Sequence, residues 1–377
     1  MSEIELLAQT GDSQVDQALR GLVGIFETIF PGRIRGYYII GSYADGTAIP
    51  TASDVDGFIV FKDDFLDGAE PGKAWQVLSH CALLTPLEFD LAAVPESSIL
   101  RYGHVVLKYN STLVYGEDIR EEIPLPNIDI FGHSLLFDAY RFLSRVRGNP
   151  PFLTYPLEYP DPNEKYFGYT QSIQNNDGTE KTNTKELINC VGKAALGIVT
   201  VQGHVHVKNK TDCIVQYKKH IGDEWGDLLE DIFKKCRNTW KYRVPDDKVQ
   251  QQELRNLCRR TLDFENHFLS FYKDFLIKTL QDNEQESGIW VDFETANMVF
   301  LDETLAQNLS EYGVQIRTRN EGKEVLIKSP TKIMAARALG QVVDLNDETI
   351  VKVLQEKTNS QNLLLGYYAK QSLQRYI

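Results

Sequence analysis

The residues best suited to chemistry sit close together near the start of the chain: Ile39-Ile40-Gly41-Ser42, then eleven residues, then Asp54-Val55-Asp56. An apolar run ending in Gly-Ser describes a strand that turns sharply. At such a turn the missing glycine side chain lets backbone amides approach a phosphate, and the serine hydroxyl adds a donor. Asp54 and Asp56 are two residues apart at the head of an extended run, so strand alternation puts both carboxylates on one face. Paired anionic oxygens of this kind suit a Mg²⁺ ion bridging nucleotide phosphates. Asp90, followed by Leu91-Ala92-Ala93-Val94, is the third acid; Glu88 competes for the same place and would face the same side. Taken singly, Gly-Ser is a generic turn and Asp-x-Asp an ordinary surface pair. Acids inside apolar strand runs cost free energy unless paired or metal-bound, so three of them beside a Gly-Ser bend read as a metal–nucleotide site.

The elements needed to hold these groups are legible around them. Val15, Ala18, Leu19, Leu22, Val23 and Phe26 recur at helical spacing, ahead of a Pro31-Gly32 break. Tyr37–Ile40, Gly57–Phe61 and Leu87–Val94 are short and rich in aromatic or β-branched residues, which predicts three strands, with a helix over Ala74–Leu84 between the last two. Strand, turn, strand, helix, strand describes a domain built on one mixed sheet. Further on, Ile128–Val146, Lys185–Val201, Ile214–His220, Trp225–Trp240 and Gln250–Leu280 carry helix-period apolar residues and predict a helical bundle. Gly148–Thr184, rich in Pro, Asn and Gly, reads as a long loop or lid. From about Gly288, weak strands (Val314–Thr318, Glu324–Ile327) mix with helices at Thr331–Leu339 and Asp347–Lys357. The expected class is α+β: a catalytic domain over 1–125, a helical domain over 126–282 and a small α/β extension over 283–377.

The set Gly41-Ser42, Asp54-Val55-Asp56 and Asp90 resembles the signature of the polymerase-β-type nucleotidyltransferases. In that superfamily a small mixed sheet carries helices on one side, two acids bind Mg²⁺, and a third ligates metal or acts as general base. Leu113–Arg120 is similar to the segment closing the catalytic domain of aminoglycoside nucleotidyltransferases, and Gly203-His204-Val205-His206-Val207-Lys208 to their helix–turn with a lysine five residues after a glycine. In the streptomycin/spectinomycin adenylyltransferases that lysine touches the ATP phosphates, which implies the role for Lys208. An arginine those enzymes use would fall near Ala195, with Lys193 as the stand-in. The resemblance spans about residues 30–280. It implies Mg²⁺ at Asp54, Asp56 and Asp90, a base at Asp90 or Glu88, and ATP held by Gly41, Ser42, Lys208 and Lys193. Residues 283–377 have no counterpart in it, and the Pro160–Thr182 stretch is longer.

Composition narrows the acceptor. The chain has 377 residues, 25% of them charged, and a net charge of −13, of which residues 1–125 carry −11. Such a balance argues against nucleic acid, whose binding is dominated by Lys and Arg meeting phosphate. It suits a cationic acceptor, concentrated by a negative cleft. No apolar run reaches the ~20 residues of a membrane helix. Five widely spaced cysteines without a Cys-x-x-Cys, and an acidic N-terminus unlike a signal peptide, read as reduced thiols in a cytoplasmic protein. His204 and His206 read as parts of a helix–turn rather than metal ligands, and Lys218-Lys219-His220 and Lys234-Lys235 as solvated helix faces. The expected activity is Mg²⁺-dependent transfer of a nucleoside monophosphate, AMP from ATP, to a small-molecule hydroxyl. Alternatives are modification of a protein acceptor, as in toxin–antitoxin or defence systems, and a non-catalytic nucleotide-binding relative.

Overall fold

The computed structural model describes residues 4–49, 52–67, 69–85, 87–174, 180–282, 289–291, 315–319, 322–327, 330–344, 347–360 and 363–376. It divides into two compact units. One comprises the described residues up to Ile128 together with Val205–Val215; the other comprises the remainder.

In the first unit, Asp12 caps helix α1 (Ser13–Ile29), its carboxylate accepting from the Gln14 and Val15 amides. The chain breaks at Pro31-Gly32, as its composition predicts, and enters β1 (Ile34–Ile40). A one-turn helix α2 (Gly41–Ala44) follows directly, then β2 (Val55–Phe61), α3 (Ala69–Leu83) and β3 (Phe89–Pro95). Two short helices, α4 (Glu96–Tyr102) and α5 (Val105–Tyr109), lead into β4 (Ser111–Gly116). The strand order is β3-β2-β1-β4. β1 is antiparallel to β2 and β4, while β2 and β3 run parallel, joined by the α3 crossover. Helices α4 and α5 and strand β4 are additions to the sequence reading: the two helices are too short to show a helical period, and Ser111–Gly116 enters that reading only in part, within the Leu113–Arg120 segment.

Both faces of this sheet are apolar, for different reasons. Val55, Ile59 and Phe61 pack with Phe26, Leu22 and Ala74, so α1 and α3 cover one face, with Phe89, Leu91 and Ala93 at its margin. On the other, Tyr38 and Val60 meet Ile99, Leu107, Ile119 and Ile123, with Phe58 and Val94 alongside. Tyr38 ties down the segment after β4: its hydroxyl donates to the Glu117 carbonyl at 3.0 Å and accepts from the Ile119 amide at 2.9 Å. Burial pushes that phenol up to about 12.

The second unit is mainly helical: α6 (Ile128–Val146), α7 (Lys185–Gly203), the end of α8 (Lys210–His220), α9 (Trp225–Ile232) continuing as a π-helical stretch (Phe233–Thr239), and the 34-residue α10 (Lys248–Gln281). Helices α6 and α7 cross closely, because a Cβ at Gly197 would stand 2.8 Å from Leu136 Cδ2 and 3.3 Å from its backbone. Gly148–Thr184 is more structured than a plain loop. Leu153–Thr154 pairs in parallel with Val342–Val343, and Gln171–Gln174 forms a hairpin with Glu180–Asn183. In the C-terminal block, strands Gln315–Arg319 and Gly322–Ile327 and helices Pro330–Leu339 and Glu348–Lys357 fall where the pattern placed them, with a further helix at Leu363–Leu373. The expected boundary at 283 and Val314 lie outside the described residues. Trp240 and Tyr242 are buried, and all five cysteines are free thiols. Among the described residues no helix is long and apolar enough to cross a membrane.

Candidate active site

Strand register decides which side chains meet. Ile39 pairs with Gly57 and Ile40 with Ser111, so the bend at Gly41, the start of β2 and the start of β4 share one end of the sheet. The same end receives the start of β3, where Asp56 lies opposite Asp90. Odd-numbered residues of β2 and β3 face α1 and α3, so Asp56 and Asp90 project from the other face. Asp54, immediately before β2, is half-buried, and its charge helps burial raise the phenol of Tyr43 on α2. Burial comes first among those causes, with Asp12 and Asp54 adding to it. Asp90 is exposed on the outer strand. Glu88 is exposed too, and its carbonyl accepts from the Val55 amide at 2.8 Å, anchoring the head of β3 beside that of β2.

Gly41 explains why the bend is tight. Its φ of 65° lies in the left-handed region, and a Cβ there would stand 3.1 Å from Asp56 Oδ2. The absent side chain leaves a hollow directly against an Asp56 oxygen. Hard carboxylate oxygens around such a hollow are donors that Mg²⁺ accepts. Among the described residues, no three His, Cys, Asp or Glu side chains are gathered as a ready-made metal cage. The fit therefore rests on the Asp54/Asp56 pair, with Asp90 across the strand.

The two lysines separate. Lys208 belongs to the Val205–Val215 segment, within the unit that holds the sheet. Its Nζ lies 5.4 Å over the ring of Tyr109, the last residue of α5, two positions before the Ser111 that pairs with Ile40. Lys208 thus stands at the Gly41 end of the sheet. Lys193 lies on α7 in the helical unit, where its Nζ meets Asp138 Oδ2 at 2.6 Å and stacks over Phe142. The structure gives Lys193 a carboxylate partner and does not bring it to the acids within one unit. Arg120 forks onto Asp118 and donates to the Ser111 carbonyl at 2.8 Å. Hydrogen bonds from that guanidinium hold the Asp118 carboxyl below its usual range.

Two neighbours of these residues carry no signal in the sequence. His104 caps α5: its Nδ1 accepts from the Leu107 amide at 3.1 Å, leaving the proton of the neutral ring on Nε2. The ring stands edge-on to Phe58, two residues beyond Asp56, and burial lowers its pKa. A lone histidine between two five- to seven-residue helices has no spacing signal. Tyr109, likewise, is marked by nothing but its contact with Lys208. A cavity of about 490 Å³ between α1 and α3, walled by Trp75, Leu78, Phe89 and Leu91, also borders Asp90. Its lining holds no cation, so it is unsuited to a triphosphate.

Residues 19–116 match the family model described as Nucleotidyltransferase domain. The match runs from α1 to the end of β4 and encloses Gly41, Ser42, Asp54, Asp56, Glu88 and Asp90. The chain therefore carries a nucleotidyltransferase domain over these residues, in keeping with the resemblance read from the motifs. Among solved structures, spectinomycin adenyltransferase AAD(9) from Enterococcus faecialis, crystallised with ATP and spectinomycin, aligns over 65% of this chain and 99% of its own, at 10% identity and a TM-score of 0.39. No curated protein matches the chain.

Proposed function

We propose that the protein transfers a nucleoside monophosphate, AMP from ATP, to a hydroxyl of a small molecule. The observation that carries the reading is the convergence of the Gly41 bend, Asp54, Asp56 and Asp90 at one end of one sheet, with Asp56 and Asp90 in register. Asp54 and Asp56 would hold Mg²⁺, with Asp90 joining from β3. When bound, the ion supplies charge neutralisation for the triphosphate. Backbone at Gly41-Ser42 and the Ser42 hydroxyl receive phosphate oxygens, and Lys208 offers a compact cation to them. The acceptor oxygen attacks the α-phosphorus, its proton passes to the carboxylate of Asp90 or Glu88, and the bond to the leaving pyrophosphate breaks. Such a site works mainly by positioning and electrostatics. The acidic catalytic block favours a cationic acceptor, and five free thiols suit the cytoplasm.

The test is incubation with α-labelled ATP and Mg²⁺, with and without a panel of hydroxyl-bearing cations such as aminoglycosides. Label should move to a small molecule. Asp54→Asn should reduce transfer by about 10²-fold or more while leaving the circular dichroism spectrum and melting curve unchanged. Label in protein would replace the acceptor class with a polypeptide, and near-normal turnover in the variant would refute the metal assignment.

A further inference from the structure

Segment Val205–Val215 joins the sheet-bearing unit although the chain on both sides of it belongs to the other. Several contacts account for that. His206 Nε2 lies 3.0 Å from the Pro126 carbonyl oxygen, and since a carbonyl can only accept, Nε2 carries the proton. Val207 is buried. The Lys208 amide donates to Asp212 Oδ2 at 2.9 Å, and the Asp212 amide donates to Asn209 Oδ1 at the same distance, closing a compact turn before α8. The Lys208 ammonium then rests on Tyr109.

The Pro126 anchor is itself fixed. Tyr38 holds Glu117 and Ile119, and Lys108 Nζ donates to the carbonyls of Arg120 at 3.1 Å and Ile123 at 2.7 Å. Gly103 is wedged against the Pro124–Pro126 backbone, where a Cβ would run into the Pro124 oxygen and stand 2.7 Å from the Pro126 nitrogen. A flexible lysine on a loop gains little as a phosphate ligand unless the loop is ordered beforehand, because the ordering entropy is otherwise lost on binding.

We infer that His206 is a positioning residue for the nucleotide: by bonding to Pro126 it holds the Lys208 turn on the sheet unit, so that the ammonium waits on Tyr109 at the Gly41 end. The inference rests on the proposed nucleotidyl transfer for the part Lys208 plays, while the clasp itself is independent of it. His206→Ala should speed amide hydrogen exchange in 205–215 of the nucleotide-free full chain. It should also weaken ATP binding by about 3- to 10-fold, the worth of one hydrogen bond, mainly as a rise in KM. His206→Gln, whose amide nitrogen can still donate to Pro126, should restore both. In a Lys208→Ala background, His206→Ala should cost no further ATP affinity. Unchanged exchange in His206→Ala, or an affinity loss that persists undiminished without Lys208, overturns the inference. Absence of nucleotide transfer by the wild type, with the exchange effect intact, would instead overturn the proposed function and leave the clasp standing.

Discussion

At the scale of single residues, the site depends on small differences in side-chain volume and reach. Gly41 is the sharpest case, because its backbone is left-handed and its missing Cβ abuts an Asp56 oxygen. Gly41→Ala should cost about 1 kcal/mol from the left-handed backbone. It should lower nucleotide transfer by more than that loss of stability explains, about tenfold or greater, since the new methyl crowds the carboxylate. Paired thermal melts and turnover assays separate the two effects; a variant with lowered Tm and full activity would show that the hollow is structural. Asp90 and Glu88 differ in where the strand register leaves them. Both sit at the head of β3 with the same parity, but Asp90 stands across from Asp56 and Glu88 lies one step outside the paired strand.

At the scale of elements, the helices show how burial governs a titration. His133 on α6 is enclosed, its ring tilted against that of Phe275 of α10 at 4.5 Å between ring centres, and burial pulls its pKa down to about 4. An unfolded histidine titrates near ~6.5. Above that value both states are neutral and this residue adds no pH dependence. As pH falls from ~6.5 toward about 4, the unfolded chain takes up a proton that the folded one refuses, so stability declines, by about 3 kcal/mol in all. Urea midpoints of wild type and His133→Gln between pH 7 and 4.5 check this: the variant should lose stability less steeply with acid. Parallel slopes would mean that the ring protonates in the folded state.

At the scale of the whole molecule, long-range pairs make a compact unit from blocks that look separate in sequence. Within the helical unit, Lys273 on α10 reaches Asp344 at 2.8 Å and Asp347 at 2.9 Å, and Tyr140 donates to the Gln341 carbonyl at 3.1 Å. These ties fasten residues from the C-terminal block onto the bundle. Lys273 and Asp344 are nearly enclosed, so removing one partner strands the other charge. Lys273→Met should destabilise by about 3 kcal/mol, read as a lowered Tm, with Lys273→Arg recovering part of it. An unchanged Tm would show that the pair contributes nothing net.

The chain's own pattern determined the main elements of the sheet and the long helices, and where the candidate residues fall on them. The Gly41-Ser42 bend, the Asp54/Asp56 alternation, the strands around them and the long helices are all local periodicities, written within a dozen or so residues. Helices too short for a period, such as α4 and α5, left no such trace. Tertiary structure alone decided that Asp56 faces Asp90, that Lys208 stands over Tyr109 while Lys193 pairs with Asp138, and that His206 finds Pro126. Those are meetings between segments dozens of residues apart, set by sheet register and packing, and no spacing in a single chain encodes them.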